Sequence, residues 1–201
     1  HGGERVEAVE TAAGERIPCA LALVGVGARP ADDWLRGAAG LRLEDGVWVD
    51  QFCATTAAGV YAAGDIARWP YQPPYASAPT WVRLEHFDHA LRQGAAAARN
   101  LLGERVPYAQ VPYFWSQQYG LMVQYVGHAT VWDTEVSRGV PGEEPFLHFY
   151  LASGRIVAAL AVNRIRDFAP LKKLLGATIS PDILASEDAD VRALARGLAQ
   201  R

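Results

Sequence analysis

Residues 59–67 read "GVYAAGDIA": an apolar run, Val60 to Ala63, delivers Gly64 and Asp65 and then turns apolar again. So short an apolar run with Val and Tyr at its head predicts a buried strand. A buried strand that ends on Gly-Asp matches the ligand sites of open α/β sheets, which lie just beyond the strand ends. The glycine lets a ligand approach the backbone closely, and the carboxylate can accept from a hydroxyl. The same pair also makes a simple turn or a helix cap, and the residues alone leave both readings open.

The flanking sequence divides into three stretches, 1–50, 51–105 and 106–201. In the first, "RVEAVETAAGERIPCALALVGVG" predicts two strands around the turn Ala13-Gly14, then a buried strand over residues 20–26 closed by Pro30. "ADDWLRGAAG" predicts a short helix capped by Asp32 or Asp33 and stopped at Gly40, and Asp45-Gly46 a two-residue hairpin turn. In the second, the four prolines of "RWPYQPPYASAPT" predict a loop. "FDHALRQGAAAARNLLG" predicts a helix with Asp88 as N-cap and Gly103 at C′, its inward face formed by Ala90 or Leu91, Gly94, Ala97 or Ala98, and Leu101. In the third, "LMVQYVG", "TVWDTEVS", "PFLHFYLA" and "RIVAALAV" predict four strands, with a tight hairpin at Ser153-Gly154. "RDFAPLKKLLG" and "DADVRALARGLAQ" predict helices. Strands followed by helices define an α+β unit, and Pro107 and Pro112 bracket its expected boundary.

With 201 residues, half of them hydrophobic and a fifth charged, the chain can bury one or two cores. A net charge of −3 argues against a bulk nucleic-acid binder while leaving room for a local basic patch. No apolar run approaches the about 20 residues that span a bilayer. No basic segment followed by an apolar one opens the chain, so a cytoplasmic protein is expected. The start at His1 rather than Met suggests a processed or truncated piece. Cys19 and Cys53 form no CxxC pair and are expected as free thiols in a reducing compartment. His86, Asp88 and His89 could suggest metal ligands, but no other histidine or cysteine stands near in sequence, and no metal is expected. "VGVGARP" contains G-x-G, yet Pro30 stands where the third glycine of a dinucleotide fingerprint belongs.

Four strings carry a family resemblance. "TTAAGVYAAGDIA" resembles the second FAD-binding motif of the two-dinucleotide-domain flavoprotein reductases. "WVRLEHFDHALRQG" resembles the segment over the flavin ring in ferredoxin, putidaredoxin and rubredoxin-type reductases, and its "EHFDHA" core is also similar to apoptosis-inducing-factor proteins. "VPYFWSQQYGLMVQYVG" resembles the entry to their C-terminal domain, usually P-x-F-W-S-D-Q, with Gln117 in place of the aspartate. "VNRIRDFAPLKKLL" resembles that domain's late helix.

The resemblance implies partial doubly wound FAD- and NAD(P)H-binding domains, α/β in class, followed by an α+β reductase domain. It implies FAD and NAD(P)H as cofactors. Asp65, after Gly64, matches the aspartate on the ribityl hydroxyls, and Phe87 the backbone N–H at the pyrimidine end of the flavin. Glu85 and His86 match positions near nicotinamide and flavin, Trp115 an aromatic wall of the ring, and Gly27 a backbone position beside NAD(P)H. Without the resemblance, Trp115 reads as core and Glu85 as a solvated charge. A helix starting at the ring would stabilise the negative charge of reduced flavin. The two glycine-rich pyrophosphate loops are not in this sequence, so the chain resembles the carboxyl-terminal half of such an enzyme, residues 1–50 being the tail of the NAD(P)H domain and 51–105 the close of the FAD domain. No CxxC of the disulfide reductases is present, which implies an external electron carrier. Iron–sulfur carriers are usually acidic, so Arg164, Arg166, Lys172 and Lys173 are candidates for a docking patch; a solvated helix face is the other reading. An apoptosis-inducing-factor-like NADH oxidase and a non-catalytic interaction module are the competing functions.

Overall fold

The computed structural model describes residues 3–198. The first expected hairpin forms: β1 (Ala8–Glu10) pairs antiparallel with β2 (Arg16–Pro18), and Gly14 turns the chain at φ +83°. The strand expected over residues 20–26 does not. That segment has no regular structure, and Leu21, Leu23, Val24 and Val26 are 74–96% exposed. An apolar strand of this kind is stable only between neighbours that cover its faces and pair its backbone. Among the described residues no strand pairs with it. The "ADDWLRG" helix shrinks to a 3₁₀ turn over Asp33–Leu35, with Asp32 at the cap position but making no capping bond, and Gly37 already left-handed.

A small sheet and one helix build the first core. The strands are β3 (Val47–Trp48), β4 (Ala67–Tyr71) and β5 (Thr80–Arg83), β4 pairing parallel with β3 and antiparallel with β5. The Asp45-Gly46 turn has both residues left-handed, at φ +48° and +98°, which reverses the chain tightly enough for Leu43 to bridge Val47. The proline-rich loop begins later than expected, because β4 runs through Pro70. The ladder with β3 ends opposite Arg68, so at Pro70 the strand has a partner on one side only and tolerates the missing N–H. The buried strand expected over Val60–Ala63 is reduced to one bridge, Ala54 to Tyr61, on half-exposed chain.

Helix α1 (Phe87–Leu101) closes this core. His86, not Asp88, occupies its N-cap; Asp88 sits in the first turn and pairs with Arg92 at 2.9 Å. Its far end matches expectation. Gly103, at φ +87°, donates to Asn100 O and Glu104 N–H to Arg99 O, closing a Schellman motif. The inward face matches the one expected only in part: Ala97 is buried as expected, together with His89, Gln93, Ala96 and Asn100, while Leu91 and Leu101 are 63% and 60% exposed. Asn100 accounts for its own burial by bonding Phe52 O, Val106 O and Val106 N–H. Cys53 is buried in the same core, and burial, then nearby Asp50, pushes its thiol up to about 11; Cys19 is half-exposed and also free.

The second core lies under a five-stranded antiparallel sheet ordered β6-β7-β10-β9-β8. Its strands are β6 (Tyr113–Gln118), β7 (Leu121–Gly127), β8 (Thr134–Arg138), β9 (Phe146–Ala152) and β10 (Arg155–Val162). Four follow the expected apolar runs; β6, rich in glutamine and half-exposed, has no such run to mark it. Ser153 and Gly154, at φ +50° and +75°, make the expected hairpin between β9 and β10. Helices α2 (Ile165–Leu174), α3 (Pro181–Ala185) and α4 (Val191–Leu198) pack on one face through Leu171, Leu174, Leu184 and Ala195. The end of the last expected helix, at 199–200, lies outside the described residues. A bulge between Ile156 and Ala158 takes Val157 out of the ladder, and its carbonyl accepts from Tyr75 at 3.2 Å. Gly176 admits the Tyr75 ring, since a Cβ there would lie 3.2 Å from it. This contact ties the proline-rich loop to the second half.

One buried cation organises the C-terminal helices. Arg138 is 2% exposed and donates from Nε to Leu184 O, from Nη1 to Ala189 O and from Nη2 to Ile183 O, at 2.8–3.1 Å. The guanidinium thereby satisfies carbonyls at and after the C-terminal end of α3, where the helix dipole is negative. Replacing it with Met leaves those carbonyls buried and unpaired. Arg138→Met is therefore expected to destabilise the protein by about 3 kcal/mol, read as a lower guanidinium midpoint by far-UV circular dichroism.

Candidate functional site

The opening motif folds as a turn docked on α1. Gly64 is buried at φ +78°, and a Cβ there would come 3.3 Å from the Ala90 Cβ. Its N–H donates to Oε1 of the fully buried Gln93 at 2.8 Å. A 3₁₀ turn over Gly64–Ile66 then leads into β4 and leaves Asp65 exposed. Arg83 holds this turn from the other side: Nη1 donates to Asp65 O at 2.9 Å and to Glu85 Oε1 at 2.6 Å, and Nε to Asp45 Oδ1 at 3.0 Å. One guanidinium thus joins three segments far apart in sequence.

Beside this junction lies a concavity of about 390 Å³ lined by Glu85, His86, Phe87, Phe114 and Trp115. The start of α1 meets both faces of edge strand β6. His86 packs on Phe114 with ring centres 5.0 Å apart, and Phe87 meets Trp115 edge-on at 5.9 Å. Trp115 stacks on Tyr113 at 5.5 Å, and the Lys172 ammonium sits 4.3 Å from the Tyr113 ring, shielded enough that burial lowers its pKa. No side chain caps the N-terminus of α1, which opens onto the concavity with its positive end. Burial, reinforced by His128, lowers the His86 pKa, while Asp65 and Glu85 act in the opposite sense, so both carboxylates lie within electrostatic reach of the ring.

Six of the seven candidate residues come together here: Gly64 and Asp65 through Arg83 and α1, and Glu85, His86, Phe87 and Trp115 around the concavity. Gly27 does not join them. It stands at φ +123° in the exposed segment after residue 26, and a Cβ at that position would meet nothing within 4 Å. Its neighbour Ala28 begins the rim of a separate polar cavity of about 590 Å³ shared with Arg29, Arg36, Asp45 and Arg83. Sequence reasoning missed Arg83, Gln93 and Phe114. All three lie inside the strings that carry the resemblance, and the expected inward face of the helix left Gln93 out.

The docking candidates are not equivalent. Arg164 is engaged by Glu187, at 2.6 and 2.7 Å, and by Asp167 at 3.6 Å. Lys172 faces Tyr113 and Phe168. Arg166 and Lys173 line a concavity of about 300 Å³ together with Arg192 and Arg196 from α4. Among the described residues, no group of three His, Cys, Asp or Glu side chains is placed to hold a metal ion. None of their helices is long and apolar enough to cross a membrane.

Residues 1–94 match the family described as pyridine nucleotide-disulphide oxidoreductase, and residues 113–195 the one described as reductase C-terminal. The chain belongs to the FAD-dependent pyridine-nucleotide oxidoreductases of the ferredoxin reductase type, as their carboxyl-terminal half. It is 36% identical over 195 residues to the 5,5'-dehydrodivanillate O-demethylase ferredoxin reductase subunit of a Sphingobium strain, covering 95% of this chain and 46% of that protein. It is 38% identical over 175 residues to the anthranilate 1,2-dioxygenase system ferredoxin–NAD(+) reductase component of Burkholderia cepacia, covering 87% of this chain and 42% of that protein. A ferredoxin reductase for the CYP199A2 system of Rhodopseudomonas palustris superimposes with a TM-score of 0.81 at 31% identity, over 97% of this chain and 48% of that one. The chain spans just under half the length of these relatives.

Beneath the site, His89 is 3% exposed and bonds Tyr108 Oη through Nδ1 at 2.9 Å. Burial, with a contribution from His86, lowers its pKa from 6.5 to about 4, so it is neutral in the folded protein near neutral pH. The unfolded chain takes up that proton at higher pH, so stability is full above 6.5 and is lost as the pH falls from 6.5 toward about 4. His89→Gln is expected to flatten this loss by about 1 kcal/mol per pH unit, measured as guanidinium midpoints between pH 7 and pH 4.5.

Proposed function

We propose that this chain is the carboxyl-terminal part of an FAD-dependent NAD(P)H oxidoreductase that passes electrons to a ferredoxin-type iron–sulfur protein. The observation that carries the reading is the concavity at the start of α1, walled by Glu85, His86, Phe87, Phe114 and Trp115, with Asp65 held beside it by Arg83. The names of the relatives support a ferredoxin acceptor and NAD(+). The chain's own groups fit a flavin. Gly64 brings the backbone close without a side chain, Asp65 offers an exposed acceptor for ribityl hydroxyls, and aromatic faces at Phe114 and Trp115 suit a planar ring.

When bound, FAD supplies the conversion between hydride and single-electron transfer. The protein's part is electrostatic and steric. The uncapped start of α1 directs its N–H groups and dipole at the concavity, favouring negative charge there. Trp115 and Phe87, 42% and 72% exposed in this chain, would lie against one side of the bound ring. Glu85 and His86 line the region that meets nicotinamide, with NAD(P)H held largely by residues outside this chain and by the backbone near Gly27. The division into residues 1–50, 51–105 and 106–201 follows from this reading, and the free thiols Cys19 and Cys53 suit a cytoplasmic setting.

For the acidic carrier we place docking on Lys172, whose ammonium lies over Tyr113, and on the Arg166, Lys173, Arg192 and Arg196 concavity. Arg164 already pairs with Glu187 and Arg196 with Asp190, so Arg166, Lys173 and Arg192 carry most of the free charge in this reading.

The full-length protein, mixed with NADH and a ferredoxin in stopped flow, is expected to show flavin bleaching followed by ferredoxin reduction. NADH oxidation unaffected by ferredoxin would replace this reading with the oxidase one. Charge reversal at Lys173 and Arg192 together is expected to raise the KM for ferredoxin about tenfold at low salt, an effect that fades at high salt. The 201-residue chain alone is expected to retain no stoichiometric flavin on gel filtration.

A further inference from the structure

Around α1 and β4, the buried polar atoms Trp69 Nε1, Tyr71 Oη, His86 Nδ1, His89 Nε2 and Gln93 Nε2 have no hydrogen-bond partner among the described residues. Such groups are normally satisfied, and a hydrophobic side chain at position 93 would avoid one of them. Gln93 is nevertheless fully buried and polar in the middle of a helix face. Its side-chain oxygen is committed to the motif: Oε1 accepts the Gly64 N–H at 2.8 Å.

We infer that Gln93 is a positioning residue for Asp65. The inference rests on the flavin reading above. Gly64 is left-handed, so its N–H turns toward α1 and away from the chain's own turn bonds. The absence of a Cβ lets the loop sit on Ala90, one helical turn before Gln93. Gln93 then fixes the loop by its backbone, and Asp65 follows as the next residue. Arg83 binds the Asp65 carbonyl from the opposite side. The loop is held by its N–H on one side and its C=O on the other, so the exposed Asp65 carboxylate takes its direction from its backbone. A shift of the loop by a fraction of an ångström would move that carboxylate off the hydroxyls it is read to hold. His89 stands one turn before Gln93 on the same face and is anchored by Tyr108, which stiffens the helix interior behind the bond.

The test uses the full-length flavoprotein, stripped of FAD and titrated with it by fluorescence quenching, in four forms: parent, Gln93→Met, Asp65→Ala and the double variant. Gln93→Met keeps side-chain length and removes the acceptor; it is expected to weaken FAD binding about tenfold. In the Asp65→Ala background the same change is expected to have less than about a threefold effect, because the carboxylate it positions is gone. A purely structural role for Gln93 would weaken binding equally in both backgrounds, and that result overturns the inference, as does unchanged binding in Gln93→Met. Gln93→Glu keeps an acceptor oxygen and is expected to restore binding to within about threefold of the parent. If Gln93→Met does not fold, Gln93→Glu decides alone, a loss of about tenfold overturning the inference. Failure of the flavin reading would look different: the parent would not bind FAD, or Asp65→Ala would bind it as tightly as the parent.

Discussion

The Arg83 guanidinium is the interaction on which the site geometry depends. It reaches Asp45 in the turn before β3, the Asp65 carbonyl before β4, and Glu85 before α1. Each of those segments is short, and the guanidinium adds a bond between them that their local turn bonds do not make. A planar donor with a fixed fork can satisfy three acceptors at once at geometries a lysine cannot reproduce. The Arg83 side chain is itself 12% exposed, while its carboxylate partners Asp45 and Glu85 are 54% and 36% exposed and open to solvent. Gly46 belongs to the same arrangement, since a Cβ there would clash with Ile66 O and Arg83 Cδ.

Around that junction the two halves of the chain contribute different things. The first half supplies a glycine loop, a helix start and the polar and aromatic side chains Glu85, His86 and Phe87. The second half supplies aromatic surface from β6, backed by a core that stands on its own sheet and helices. The latch of Tyr75 on Val157 and Gly176 joins them away from the site. At the concavity itself the aromatic wall meets the start of α1 through the His86–Phe114 and Phe87–Trp115 contacts.

What the residues alone made legible was chiefly what local stereochemistry decides. Ala13-Gly14 and Ser153-Gly154 turn as their types require, and Gly103 ends α1 with a full set of terminal bonds. The apolar runs of β7, β9 and β10 became strands because each could be covered by its neighbours and by the helices. The failures share one cause, the dependence of burial on partners distant in sequence. Residues 20–26 carry a strand pattern and remain bare; Pro70 sits in a strand because β3 stops short of it. On α1 the small residues placed Ala97 correctly but Leu91 and Leu101 wrongly, since His89, Gln93 and Asn100 each have a specific polar reason to be inside. The candidate site residues Glu85, His86, Phe87 and Trp115 were named through the family resemblance, while the Gly64-Asp65 pair by itself left a ligand site and a simple turn both open.

The bare segment over residues 20–26 has a consequence for handling the molecule. Leu21, Leu23, Val24 and Val26 lie side by side on uncovered, unpaired backbone with no charged residue among them. Such a stretch is a template for intermolecular strand pairing. In isolation this segment therefore presents the chain's most open edge for strand-to-strand self-association among the described residues.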